Sequence, residues 1–441
     1  MKQFLQGLAI SMVVMLSFTS SYASPASERH STPVKLQTMQ AHKSLPIPGI
    51  LPQHRSSLNT WLRSLHDEVR SKKNQDETKL YHKSVQELAD LINNDPGIYM
   101  YVEKMIAQVP SQYRAADTVD DLLAILNTIL HKAPSFGDPS HFPLSALFVY
   151  MMDTPAGEYL FTHKAFNNAI RNVLQEWTQF LDSKNSVYVL NKKSGWLSEA
   201  SYIENGLSSF IIPDTKDPHG GFKSFNAFFH REIKPALRPV TAPSNNKIIV
   251  SANDGTVYNI AHKVKKTDKF WIKSQPYSLA HMLDHSPYVD RFVGGTVFQT
   301  FLSGHDYHRW HSPIDGIVRE ARVVNGFMFS ELASEGFDKD AGILSQGYEA
   351  SVNTRGLVFI ESDDPAIGMV VVIPIGITEI SSITIGVKAG QRVKKGEEIG
   401  FFSYGGSSMA LVFQPKTIHS FNQGLKKGVK LKVNARIAEA R

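Results

Sequence analysis

The chain changes texture once, and that change limits what it can fold into. From Leu58 to about Ala200 the apolar residues recur at helical spacing. Ser84–Glu87 (SVQE) reads as a capping box before Leu88, Leu91 and Ile92, which share one face. Thr118 reads as the N-cap of TVDDLLAILNTIL, which Pro134 follows, and Ala165–Leu181 is a further amphipathic helix. After the turn-rich stretch DTKDPHGGFKSF (Asp214–Phe225) come short apolar runs punctuated by Gly, Pro and Asp: KIIVSANDGTVY, GGTVFQTFL, GLVFIES and GMVVVIPIGITEISSITI. Runs of that length with such punctuation are strands. The expectation is an α+β protein, with a helical domain over residues 57–213 followed by a β-rich, barrel-sandwich-like domain over 214–441.

A length of 441 residues, 42% hydrophobic and 20% charged, supports a sizeable core and excludes a disordered chain. The net charge of +6 favours anionic surfaces, including lipid headgroups, without marking a nucleic-acid binder. Five basic residues near the end (Lys426, Lys427, Lys430, Lys432, Arg436) read as a solvated tail strand or a membrane-facing patch. With no cysteine, disulfides, thiolate metal sites and cysteine nucleophiles are excluded. Lys2, the apolar run Leu8–Phe18 and Ser21-Tyr22-Ala23 form an export pattern: a signal peptide over residues 1–23, then a loose Pro/Ser/His-rich leader over 24–56. The expectation is export with cleavage after Ala23, the alternative being an uncleaved membrane anchor, and a place in the periplasm or outside the cell with peripheral membrane contact open.

Three polar sites stand out in the β-rich half. Asp254 lies in SANDGTV, an ordinary turn when taken alone. SGHDYHRWHSPIDG packs His305, Asp306, His308 and His311 into seven residues, which suits a zinc site, acid–base chemistry or a hydrogen-bonded core cluster. Gly405-Gly406-Ser407-Ser408 sits between two apolar runs, where a hairpin turn is the plain reading. Together the three offer a carboxylate, a base and a hydroxyl nucleophile. The serine is not in the G-x-S-x-G elbow of an α/β-hydrolase. An envelope zinc hydrolase on the histidine cluster is a second class, weakened by the absence of His-Glu-x-x-His. GQRVKKGEEIGFF has the hairpin spacing of barrel-sandwich carrier modules, but Lys394 and Lys395 lack a carrier-type setting.

FFHREIKPALRPV, SANDGTV, DYHRWHSPIDG, the stretch into KKGEEIGFF, and GGSSMALVF stand in the order and spacing of the phosphatidylserine decarboxylases, and the chain resembles that family from about Phe225 to Phe413. HKAPSFGD, YHRWHSP, IGITEIS and YGGSSMAL are similar to a branch with a helical N-terminal extension that includes L-tryptophan decarboxylases. The resemblance implies a proenzyme that cleaves itself between Gly406 and Ser407, leaving a covalent pyruvoyl group derived from Ser407 as the cofactor, with no metal expected. It implies His311 as the base for self-cleavage, Asp254 as the carboxylate orienting it, and His308 as the proton handler in substrate decarboxylation. Ser408 is a rival nucleophile, because the usual Leu-Gly-Ser-Thr is Gly-Gly-Ser-Ser here. The family's Asn-Glu-Arg stands as Asn353-Thr354-Arg355, without the acid. The implied substrate is phosphatidylserine or a free aromatic amino acid, and the two cleaved chains are expected to stay together. Phe401, Phe402, Met409 and Phe413 read as core or as the wall of an apolar pocket.

Overall fold

Seven helices dominate the first half: α1 (Arg55–Asn74), α2 (Lys83–Asn94), α3 (Pro96–Gln108), α4 (Val119–Ile129), α5 (Pro143–Met152), α6 (Pro155–Thr162) and α7 (Lys164–Leu181). The structure, a computed structural model, describes residues 55–74, 81–138, 142–268, 277–332, 345–379 and 382–441. The expected signal peptide and nearly all of the leader lie outside the described residues. No described helix is long and apolar enough to cross a membrane.

Local signals account for part of this half. Thr118 caps α4, its hydroxyl accepting the Asp121 N–H at 3.1 Å. Asp95 caps α3 with Pro96 at the first helical position. The Ser84 capping box does not form. Helix α2 starts at Lys83 without a side-chain cap, and the Ser84 N–H donates instead to Glu176 Oε2 on α7, 2.8 Å away. A carboxylate from another helix takes the donor that the local box was expected to use. The α7 face Phe166, Ile170, Val173, Leu174 and Trp177 is buried, as its 3.6-residue period requires.

The second half is antiparallel. An open eight-stranded sheet runs in the order β13 (Lys430–Leu431), β2 (Gly255–His262), β3 (Thr296–Leu302), β11 (Ser407–Phe413), β7 (Met369–Gly376), β6 (Arg355–Ser362), β5 (Gly316–Val324), β9 (Arg392–Val393). Two three-stranded sheets accompany it: β1 (Ile248–Val250), β14 (Arg436–Ala440) and β12 (Ile418–Phe421), then β4 (Arg309–His311), β10 (Glu398–Phe402) and β8 (Ile383–Ile385). The fold is α+β, as expected, and its large sheet does not close into a barrel.

Strand β11 lies at the middle of the large sheet, in register with β3 and β7 along its whole length. Both its faces are covered. Met409, Leu411 and Phe413 enter one core cluster and Ala410 and Val412 the other, as a period of two dictates. Phe402, Met409 and Phe413 are therefore core, while Phe401 is half-buried against the His230 ring. The helical core is a third cluster, and it reaches the sheet end through Phe301, Tyr307, Ile377 and Tyr404.

Candidate active site

One end of the large sheet collects the candidate residues. Strand β2 begins there beside the Asp254 loop, β3 and β7 end there, and β11 begins there at Ser407. Ser407 is opposite Leu302 on one side and Gly376 on the other. The loop carrying His305 to His308 leaves β3 directly after Leu302.

The two serines differ sharply. Ser407 is fully buried, and its Oγ has no hydrogen-bond partner. Ser408 is equally buried, but its Oγ accepts from Gln299 Nε2 at 2.8 Å and lies 2.9 Å from both the Thr300 carbonyl and Gln346 Oε1. A buried hydroxyl without a partner is costly and calls for a reason. Just before Ser407, the Gly406 carbonyl oxygen accepts the Ile377 N–H at 3.2 Å. A donor on that oxygen stabilises the negative charge that develops when its carbon is attacked. Gly405 has φ 147°, a conformation that L side chains rarely adopt, so the first glycine is needed for the path of the backbone.

The histidines sit in unlike surroundings. His308 is fully buried against the Phe229 ring, centroids 4.0 Å apart, and neither ring nitrogen makes a well-formed hydrogen bond. Burial, and then the Arg231 charge, hold its pKa well below the ordinary value, so the ring is neutral. His311 is tied at both nitrogens. Nδ1 lies 2.8 Å from the Gly396 carbonyl, and the Tyr307 hydroxyl is 3.1 Å from Nε2. A carbonyl can only accept, so Nδ1 carries the proton and Nε2 is the basic nitrogen. Burial also pushes the His311 pKa down.

Asp254 does not hydrogen-bond to His311. Its carboxylate takes Arg238 in a fork at 3.1 and 2.8 Å, the Val433 N–H at 2.8 Å and Lys432 Nζ at 3.3 Å. The Gly396 carbonyl has the place at Nδ1 where the carboxylate was expected. The two loops are still neighbours, since the His311 N–H donates to the Ala252 carbonyl at 2.7 Å. The zinc arrangement is not assembled either. His305 Nδ1 meets Asn205 Oδ1, Asp306 accepts from Ser303, and His311 is engaged as above. Among the described residues, three potential ligands converge at His82, His131 and Glu176, where the two imidazoles stack with centroids 3.8 Å apart. Lys395 is no carrier lysine, because its Nζ donates to the Ala242, Asn245 and Ile248 carbonyls.

Several residues that the sequence reading quoted without a role prove to be contributors. Arg231, within the FFHRE phrase, is buried beneath the Phe210 ring, and burial lowers its pKa to about 9. Asn353 donates to the Gly376 and Ile377 carbonyls, holding the segment whose N–H meets Gly406. Thr354, where the family's acid would stand, accepts from Arg171 of α7. Tyr404 packs against Phe142, Trp177, Phe225 and Phe229, two of them from the helical half.

A Phosphatidylserine decarboxylase family model matches residues 225–439, and a second model of the same description matches 82–204. Decarboxylase iboD of Amanita muscaria is 38% identical over 321 residues, covering 68% of this chain and 91% of the relative. The chain belongs to the phosphatidylserine decarboxylase family. Within that family, the L-tryptophan decarboxylase of Psilocybe cyanescens is 30% identical over 421 residues, covering 89% of this chain and 94% of its own. The phosphatidylserine decarboxylase proenzyme of Chlamydia felis is 30% identical over 251 residues, covering 56% of this chain and 79% of its own. Like these members of the phosphatidylserine decarboxylase family, the chain is a carboxy-lyase.

Proposed function

We propose that this decarboxylase matures by cutting itself between Gly406 and Ser407 and works through the pyruvoyl group that results. The observation that carries the reading is the pairing of a buried, unpartnered Ser407 Oγ with a Gly406 carbonyl that already accepts the Ile377 N–H. In the proposed step Ser407 Oγ adds to the Gly406 carbonyl carbon, the Gly406–Ser407 C–N bond breaks, and an ester replaces the peptide. Nε2 of His311 takes the hydroxyl proton once Tyr307 yields its place, with Nδ1 held on Gly396, and passes it to the departing Ser407 nitrogen, which becomes an amine. Loss of the Ser407 Cα proton then breaks the Cβ–Oγ bond, releasing a chain that ends in the Gly406 carboxylate. Water replaces the nitrogen of the new terminus, and ammonia leaves.

The ketone so formed supplies the electron sink that a decarboxylation needs and that no coded side chain provides. Buried, neutral His308 and the rings of Phe229 and Tyr404 exclude water from the region, and His308 is the group assigned to move a proton to or from substrate. The proposed place of action is outside the cytoplasm, on the strength of the N-terminal pattern.

The family reading of the substrate is the serine headgroup of phosphatidylserine, which the basic balance of the chain suits. A second reading, a free aromatic amino acid, is supported by the relative named L-tryptophan decarboxylase, which aligns across both halves of the chain. Carbon dioxide release from phosphatidylserine vesicles and from L-tryptophan, assayed on one preparation, separates the two.

Maturation is tested by intact mass. Wild-type protein should give a chain ending at Gly406 and a Ser407–Arg441 fragment with a blocked N-terminus, and Ser407→Ala should stay whole and inactive. Decarboxylation by folded, uncut protein would end the proposal.

A further inference from the structure

Glu379 is an acid held by partners distant in sequence. It is buried, two residues beyond Ile377, and its partners come from the other half of the chain. Its Oε1 accepts the Leu144 N–H at 2.7 Å and the Ser145 N–H at 3.0 Å, and its Oε2 lies 3.2 Å from the Ser145 hydroxyl. These groups form the first turn of α5, whose own N-cap residue, Phe142, offers no capping atom. Helix α5 is therefore capped from 234 residues away in sequence.

The opposite end of the same short segment is fixed by Asn353, through the Gly376 and Ile377 carbonyls. Between these two anchors the Ile377 N–H points at the Gly406 carbonyl. Tyr404, two residues before Gly406, also faces Glu379: burial first, and then that carboxyl, raise its pKa. Packing alone would be served better by an apolar residue, since burying a carboxyl is costly unless its hydrogen bonds are needed.

We propose that Glu379 is a positioning residue for self-cleavage: by latching the 377–379 segment onto the start of α5, it keeps the Ile377 N–H on the Gly406 carbonyl and makes the helical half part of the maturation apparatus. The inference rests on the self-cleavage reading above and adds a role for the helical half. Burial raises the Glu379 pKa to about 8, so the side chain is protonated at neutral pH and glutamine is its near-isostere.

The test follows cleavage of the full-length chain during cell-free synthesis, with circular dichroism of the purified product as the check on folding. Glu379→Gln should cut at close to the wild-type rate at pH 7. Glu379→Met fills the same space without the acceptors and should cut about tenfold more slowly or worse while folded, a loss toward that of an oxyanion donor. A folded Met variant that cuts at the wild-type rate overturns the proposal, as does a Gln variant that cuts as slowly as Met. Should Met fail to fold, Glu379→Asp, whose carboxyl is one methylene short of the start of α5, decides: a folded Asp variant that cuts at the wild-type rate overturns the latch. Ser407→Ala is run alongside. Its cutting at the same bond would defeat the self-cleavage reading itself, whereas an uncut Ser407→Ala beside unaffected Glu379 variants would defeat the latch alone.

Discussion

Ser407 and Ser408 are adjacent and equally buried, and the difference between them is one of partners. The Ser408 hydroxyl is saturated by Gln299, Gln346 and the Thr300 carbonyl, so removing it leaves buried amide groups unpaired at a cost of ~1–3 kcal/mol. Ser408→Ala should therefore still cut, while its melting temperature falls by several degrees. An uncut but stably folded Ser408→Ala would move the nucleophile to residue 408. Neighbouring side chains divide their tasks in a similar way along the histidine loop. His311 is fixed by two hydrogen bonds as one tautomer, whereas His308 has neither nitrogen committed and is held neutral by its surroundings.

The loop from His305 to His311, with His230 beside it, gives the molecule an acid-sensitive element. Burial lowers the pKa of His305, His308 and His311, and that of His230 to about 4. A histidine whose folded pKa lies below its unfolded value contributes stability above about pH 6.5 and loses it as pH falls toward the folded value. Glu379 and Asp306 act in the opposite sense, because burial raises both, and Glu379 favours the folded state increasingly as pH drops from about 8. Asp138 acts in the same sense as these two acids, and four histidines outweigh the three acids in the window between pH 6.5 and 5, so the melting temperature should fall from pH 7 to pH 5. A flat or rising melting temperature would contradict this balance. Elements with local causes were legible in the sequence: Thr118 at the start of α4, the α7 stripe, and the strand after Gly405-Gly406. The Ser84 box failed because its donor found Glu176, 92 residues away. Glu379, Asn353 and the Arg238 fork on Asp254 were not legible for the same reason, since each gains its role from a partner that only the fold supplies. The histidine cluster was visible, but which ring is tied and which is free was not.

At the scale of the whole molecule, the strand pairing would keep the two chains together after the proposed break at Gly406. The segment after the break contains β11 to β14, of which β11 and β14 lie inside their sheets while β12 and β13 are edge strands. Strand β11 is paired residue for residue with β3 and β7, β14 lies between β1 and β12, and β13 edges β2. Alternate side chains of β11 enter two different cores, so withdrawing the strand would open both at once. The new chain ends fall where β11 meets the loop from β10, at the edge of the helical core that includes Ile377 and Tyr404. Cutting there removes one covalent link and no strand pairing. The Ser407–Arg441 fragment should therefore co-elute with the large chain in gel filtration at neutral pH and moderate salt, and separate only in denaturant. Once separated, neither chain should decarboxylate alone, because the proposed pyruvoyl terminus would be on one and His308 and His311 on the other. Activity in the isolated small fragment, or its release from the large chain under native conditions, would show that the shared sheet does not hold the mature enzyme together.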